Sequence, residues 1–412
     1  FKAFSEGLSG LLKESLAFTG VGNYANFHTF TSAGTNAKRD TSSVGGAVSW
    51  VEMDNHSKVS IGRGSKITAK GDLNVKAINK TETVNLVGKL GLSKSSDSAT
   101  AVGGGLNVQK SNTSSIVVTK EKAELSGENI HTNAFNNVFH VAASLNAGTG
   151  GNGINGMGSY SGGSSKSRVS IDDETHLKAK KKIYLDSENN TSVTNVAGAV
   201  AIGSKNAAVG AAVAINDYDI SNKVSIEDND TEDGGKSKYD KNKEEVTVTA
   251  EDLHANAKTT GTINAVSVAG RISKVGEAES DGTGIFSKIG NKVDSVKGKI
   301  TDAIGFVTDQ VTNYVYRGSN GTEDGIPNIS KESSKLPSFS LGASGSVSVN
   351  NIKKETSAVM DGVKISLSGA NKEVGVTSSD STFVGAWSGS AALQWNHIGS
   401  GNSNFSASLA GA

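Results

Sequence analysis

Seven histidines stand at His28, His56, His131, His140, His176, His254 and His397. Two imidazoles reach one metal ion or share one proton when they sit two or four residues apart. No HxH or HExxH pair occurs, so each ring is read as a turn or surface group. The stretch Asn229–Asp240 puts Asn229, Thr231, Asp233, Gly234 and Asp240 at positions 1, 3, 5, 6 and 12 of a calcium-loop pattern. Positions 1 and 3 lack the expected carboxylates, position 12 carries Asp in place of the bidentate Glu, and no helices flank them, so a solvated acidic loop is expected. Gly62–Lys66 (GRGSK) has the flavour of a phosphate loop, but it lies between strand-like runs and is read as a turn. Asp72, Asp172, Asp173 and Asp252 are the candidate carboxylates for a sugar-cleaving pair. No nucleophile elbow, P-loop or dinucleotide fingerprint accompanies them. The chain is therefore read as non-enzymatic, with no cofactor and no metal. Leu177–Leu185 (LKAKKKIYL) is a short basic run, read as the solvent face of a strand whose lysines guard an edge.

One segment differs in kind. Ile289, Val293, Val296, Ile300, Ile304, Val307, Val311 and Val315 recur every three or four residues. That spacing predicts one apolar face of an amphipathic helix from about Ile285 to Tyr316. Gly290, Gly298 and Gly305 weaken it and allow a helical hairpin. Its polar side and end carry Lys288, Lys292, Lys297, Lys299, Tyr314, Tyr316 and Arg317, the candidate binding residues. Long digressions from a repeat are commonly functional. The competing reading is that this one packs along the repeat and stiffens it. Phe1, Phe4, Leu8, Leu11 and Leu12 share the helical spacing, so residues 1–16 are read as the end of a similar excursion.

The elements that would position these groups repeat. Ala47–Ile61 (AVSWVEMDNHSKVSI) lies over Ala212–Ile226 (AVAINDYDISNKVSI) without a gap, and Ser346–Met360 has the same length and apolar rhythm. Ser115–Val118 (SIVV) and Arg168–Ile171 (RVSI) fill the same slot, which gives a period of about 55 residues. Two insertions, about 229–245 and 277–338, lengthen the last step. Ile67–Leu92 also resembles Val248–Ile272.

Inside a unit the apolar period is two. Leu73, Val75 and Ala77 alternate with polar residues, and β-branched residues abound between turn residues, which is strand chemistry. A unit too small to bury its own face must stack on its neighbours. A mainly β fold follows: a β-solenoid of the parallel β-helix kind over 17–276 and 339–412, with a helical insertion at 277–338. Two coils of three short strands per repeat are expected, some ten coils in all. The alternative is one coil plus a hairpin whose arms are Val84–Ser93 and Ala101–Lys110. Val200–Asp217 (VAIGSKNAAVGAAVAIND) is read as the junction between two copies of the repeat, with Ser204, Lys205 and Asn206 turning the chain, although it resembles the head repeat of trimeric adhesins.

Composition narrows the function. The 412 residues hold 50 Gly and 12 Phe, 7 Tyr and 3 Trp, so backbones can lie close and no bulky core is expected. Lys plus Arg and Asp plus Glu both number 41, which leaves no basic field for nucleic acid or an anionic membrane. No cysteine is present, which removes thiol chemistry and disulfides and suits export through an oxidising compartment. No apolar run reaches the ~18 residues of a membrane helix. The chain opens in mid-pattern and ends on SASLAGA, as expected of a segment of a longer polypeptide.

Units such as Ile67–Lys80 (ITAKGDLNVKAINK), with absent Cys and scarce Pro, resemble the passenger regions of large type V-secreted bacterial surface proteins. These are autotransporter adhesins and filamentous-haemagglutinin-type exoproteins; the Lys-rich composition and the insert look most like the fusobacterial ones. The resemblance implies a right-handed parallel β-helix displayed at the outer membrane and a virulence role. It also implies a host-cell or bacterial surface glycan or protein as partner. The anchor would lie outside this chain, which is expected to act as a monomer. The alternatives are a glycan-acting β-helix enzyme and a structural spacer of a larger adhesin.

Overall fold

The computed structural model describes residues 25–37, 43–93, 100–227, 245–275, 339–369, 372–396 and 405–411. The expected helices over 1–16 and 285–316, the loop 229–240 and His397 lie outside these residues.

The described strands stack into three parallel columns. The first holds β1 (Ala25–Ala37), β4 (Leu73–Ser93), the leading parts of β7 (Ile130–Ile171) and β9 (Lys182–Ile226), β11 (Asp252–Val275) and β14 (Glu373–Asn396). The second holds β2 (Ser43–Ile61), β5 (Thr100–Thr119), the trailing parts of β7 and β9, and β12 (Phe339–Met360), with β15 (Phe405–Gly411) on β12. The third holds β3 (Lys66–Thr68), β6 (Glu124–Gly127), β8 (His176–Ala179), β10 (Val246–Ala250) and β13 (Val363–Leu367). Each circuit visits the columns in that order, so the fold is a parallel β-helix.

One sequence repeat makes one coil, not two. The first two sides are long, as in the 21 residues of β4 and the 20 of β5, and the third is 3–5 residues in β3 and β10. The cross-section is a flattened arch closed at one end by the short third side. The hairpin alternative fails as well. Val84–Ser93 and Ala101–Lys110 lie in β4 and β5, which pair with neighbouring coils and face each other across the interior. One register also shifts: Lys58 pairs with Ile116, not Ser115, and Ile116 with Arg168. A one-residue slip would have turned the unit inside out. Val200–Asp217 is the bend between the first two sides of one coil and not the junction of two repeat copies, since first-sheet pairing ends at Gly203 and second-sheet pairing resumes at Ala207.

The interior changes character along the arch. At the closed end Leu125, Ile130, Ile171, Leu177, Ile183, Leu253 and their neighbours form an aliphatic core. Toward the bend the two long sheets enclose Ala47, Ala197, Ala199, Ala212, Ala265 and Ala269, which suit a narrow gap. Between these lies a buried amide ladder. Asn79, Asn136 and Asn189 stack in register. Asn79 Nδ2 donates to Asn136 Oδ1 at 2.9 Å, and Asn136 Nδ2 donates across the gap to Ser165 Oγ at 2.8 Å and Thr113 Oγ1 at 3.1 Å. Asn195 Nδ2 likewise crosses to the carbonyls of Ser159 and Ile215, at 3.0 and 2.8 Å. An amide buried without partners is expensive, so these bonds hold the two sheets in one mutual register.

His140 lies in the same interior. Its ring sits 6.2 Å from that of Tyr218, whose hydroxyl lies 2.9 Å from Ser161 Oγ. Burial pushes the His140 imidazole down to about 3 and the Tyr218 phenol up.

Two expectations follow. Asn136→Ala strands partners on both sheets, so it lowers stability by about 3 kcal/mol. Thermal unfolding and amide exchange across β7 read this. For His140, an unfolded imidazole titrates near 6.5 and the folded one near 3, so the unfolded chain binds the extra proton between these values. Stability therefore falls as pH drops below about 6.5, by up to ~1.4 kcal/mol per pH unit from this group. His140→Leu removes that component, which unfolding midpoints between pH 7.5 and about 4.5 detect.

Candidate binding face

The predicted chemistry is dispersed over the coils. Asp72, Asn129, Lys182 and Asp252 share one corner, where Asn129 Nδ2 donates to Asp72 at 2.8 Å and Lys182 Nζ meets Asp252 at 3.0 Å. The Lys182 hydrogen bond holds Asp252 below the usual carboxylate range. Asp72 and Asp252 are three coils apart, about 14 Å along the stack. A sugar-cleaving carboxyl pair needs ~5–9.5 Å. Asp172 and Asp173 sit at the corner on the other side of the short third strand, where Asp172 lies 4.0 Å from Lys120. No group of three or more acidic or imidazole side chains able to hold a metal occurs among the described residues. Gly62–Lys66 is the turn from the second sheet to the third, with Gly64 at φ +67°. Lys178 faces out on β8, while Lys181 Nζ pairs with Glu128 at 2.7 Å. The basic run is therefore corner and strand surface. Lys288, Lys292, Lys297, Lys299, Tyr314, Tyr316 and Arg317 all lie outside the described residues.

The outer face of the first sheet is mostly engaged with itself. Tyr184 stacks between His131 and His254, with centroids 5.0 and 5.2 Å away, so its ring faces are occupied. Beside it Asn256 Nδ2 donates to Asp186 at 2.9 Å and Thr377 Oγ1 to Asn256 Oδ1 at 2.6 Å, along an open cleft of about 430 Å³. Nearer the bend the outward residues Leu86, Val196 and Val266 are apolar and buried, at 2–5% exposure.

The second sheet is open in the corresponding place. Its inward residues alternate with outward rows that run along the stack through β2, β5, β7, β9 and β12. One outward row is Val44, Val102, Ile154, Val209 and Ala343; the next is Gly46, Gly104, Gly156, Ala211 and Gly345. Then come Val48, Leu106, Gly158, Val213 and Val347, and after them Trp50, Val108, Tyr160, Ile215 and Val349. Val44, Val48 and Trp50 are 74, 64 and 66% exposed, and Leu106, Ile154, Val213, Val347 and Val349 are exposed as well. Two apolar ridges thus flank a glycine-floored trough. The ridges stand about 13 Å apart and run about 24 Å over five coils. Polar rows follow on the closed side: Glu52, Lys110, Gly162, Asp217 and Asn351, then Asp54, Asn112, Ser164, Asp219 and Lys353. Lys110 pairs with Glu52 at 3.0 Å, and Asn112 Nδ2 donates to Asp54 at 2.8 Å.

The trough glycines are not explained from inside the chain. Gly104 and Gly156 have no left-handed φ, and a Cβ at Gly156 would meet nothing within 4 Å. Gly163 is the opposite case: its φ is +140°, and a Cβ there would lie 1.9 Å from the Ser111 carbonyl oxygen. Gly in a strand interior with room for a side chain marks close approach from outside. Contiguous exposed apolar surface of this extent marks an interaction site.

Sequence reasoning missed this face, although its signal is present. In the half-unit after the bend both alternating positions are apolar or small, as in Val44–Trp50 (VGGAVSW) and Val209–Ile215 (VGAAVAI). The first sheet also carries outward apolar residues before the bend, but there Leu86, Val196 and Val266 are buried.

No protein-family model, curated protein or solved structure matches the chain significantly.

Gly104→Val and Gly156→Val are expected to fold as the parent does, within about 0.5 kcal/mol or slightly more stable, because β-branched residues favour strands. Gly163→Ala is expected to lose more than about 2 kcal/mol through backbone strain and collision. Matched thermal unfolding of the three variants checks both.

Proposed function

We propose that this chain is a non-catalytic binding segment of a cell-surface adhesin of the type V-secreted kind. It is a β-helical rod that engages ligands on host cells or other bacteria. The open face of the second sheet is one contact surface, and the stretch 277–338, with Lys288, Lys292, Lys297, Lys299, Tyr314, Tyr316 and Arg317, is a second. The single observation behind this reading is the exposed apolar face on a stack held in strict register. Five coils present the same outward rows, so the surface is pre-organised and loses little entropy when it binds. The lack of cysteine and the repeat style support display outside the cell.

The test is adhesion of the purified 412-residue chain to cultured host cells and to bacterial partners. Val48→Lys combined with Leu106→Lys puts charge on one ridge without touching the interior. Binding is expected to fall by about tenfold or more. Deleting residues 277–338 should leave a folded rod and weaken binding separately. Parent-level adhesion by both variants would overturn the reading and leave the segment as a spacer.

A further inference from the structure

We infer that the open face of the second sheet seats a second copy of this chain, packed antiparallel about a two-fold axis that runs along the strand direction. The inference rests on reading that face as an interaction surface and names its partner.

The register supplies the argument. With the axis through β7, the third of the five coils, each outward row faces itself with the coil order reversed. Lys110 of one copy then lies opposite Asp217 of the other, and Asp54 opposite Lys353. Asn112 lies opposite Asp219. Apolar rows meet apolar rows: Trp50 faces Val349, and Leu106 faces Val213. In the trough small meets small, Gly104 on Ala211 and Gly156 on itself, so no side chain there is driven into another. Within rows 44–56 the one like-charge meeting, Lys166 on itself, falls in the outermost row, at the rim, where a long exposed side chain turns to water.

The other two-fold in the plane of the face is disfavoured. Rotation about the rod axis reverses the row order: centred between the Gly46 and Val48 rows it covers only residues 44–50, roughly 550 Å² per copy, and centred on the Trp50 row it lays Lys110 and Asp54 of one copy over the Val48 and Gly46 rows of the other. Charges would be buried on apolar rows without partners. The area is adequate for the antiparallel pair. Eleven residues, 44–54, on five strands cover about 36 by 24 Å, roughly 900 Å² per copy, against the ~800 Å² per partner of a standard stable interface.

The test is a charge swap on the full 412-residue chain, read by sedimentation velocity. The parent is expected to show a concentration-dependent dimer between about 1 and 100 µM. Lys110→Glu alone sets Glu against Asp217 at both symmetric contacts, and Asp217→Lys alone sets Lys against Lys110. Each single variant is expected to weaken self-association by about tenfold or more. An equimolar mixture of the two restores an opposite-charge pair at both contacts, and a heterodimer of parent-like affinity is expected. The mixture also guards against a folding artefact, because a damaged chain is not rescued by another.

A parent that stays monomeric over the whole range overturns the inference, as do single variants that dimerise like the parent or a mixture that fails to pair. If cell adhesion still falls with Val48→Lys and Leu106→Lys, the face remains a binding surface and only the second copy is lost as its partner. If neither changes, both readings fall together.

Discussion

Everything in this molecule depends on one interaction, the parallel backbone ladder between coils. Each long strand pairs with its equivalent in the next coil over some twenty residues without a slip, as from Leu73↔Ile130 to Leu92↔Thr149. A parallel ladder uses every strand on both edges, so an inner coil has no exposed edge to guard. It also forces like positions to stack. A side chain is therefore judged by the column it joins more than by its neighbours in sequence. The shifts at Gly150/Asn152 and at the insertions fall at the bend and corners, where pairing has already lapsed.

That constraint explains the interior. Two flat sheets closed at one end by a short third side leave a wide pocket at that end and a narrow slot elsewhere. Leucine and isoleucine fill the first, alanine and serine the second. A slot of small residues buries little apolar area per coil, so hydrophobic burial alone defines the spacing of the sheets weakly. The amides supply the definition. Asn107 Nδ2 reaches from the second sheet to the carbonyls of Asn85 and Ala143 at 2.8 and 3.1 Å, and Asn195 reaches back the other way. These bonds cost free energy unless both sheets sit in the right place, which is how they select one arrangement.

The same stacking turns chemistry on the outside into rows. His131, Tyr184 and His254 are 50 to 70 residues apart in the chain and become one ring stack. Carboxylates that look scattered in sequence become corner ladders with lysines and asparagines. The outward apolar residues of the half-unit after the bend become two ridges and a trough. Repetition of one unit thus converts a modest local preference into a surface about 24 Å long.

The sequence by itself determined the β character, the stacking, the period and the place of the bends. Alternation of Leu73, Val75 and Ala77, the copies at Ala47 and Ala212, and the abundance of small residues are local facts that survive any tertiary context. Strand β11 ends at Val275 and β12 begins at Phe339, on either side of the bend position that Gly203 and Ala207 mark in the coil before. Only the tertiary structure decided that a repeat makes one coil. A period counts residues and not corners, and β4 reads equally well as one long strand or several short ones. The same limit hid the one-residue register of Ile116 and the exposure of the Val44–Trp50 face. Both depend on which residues more than fifty positions away lie alongside, and in a parallel β-helix that choice is made by the ladder as a whole.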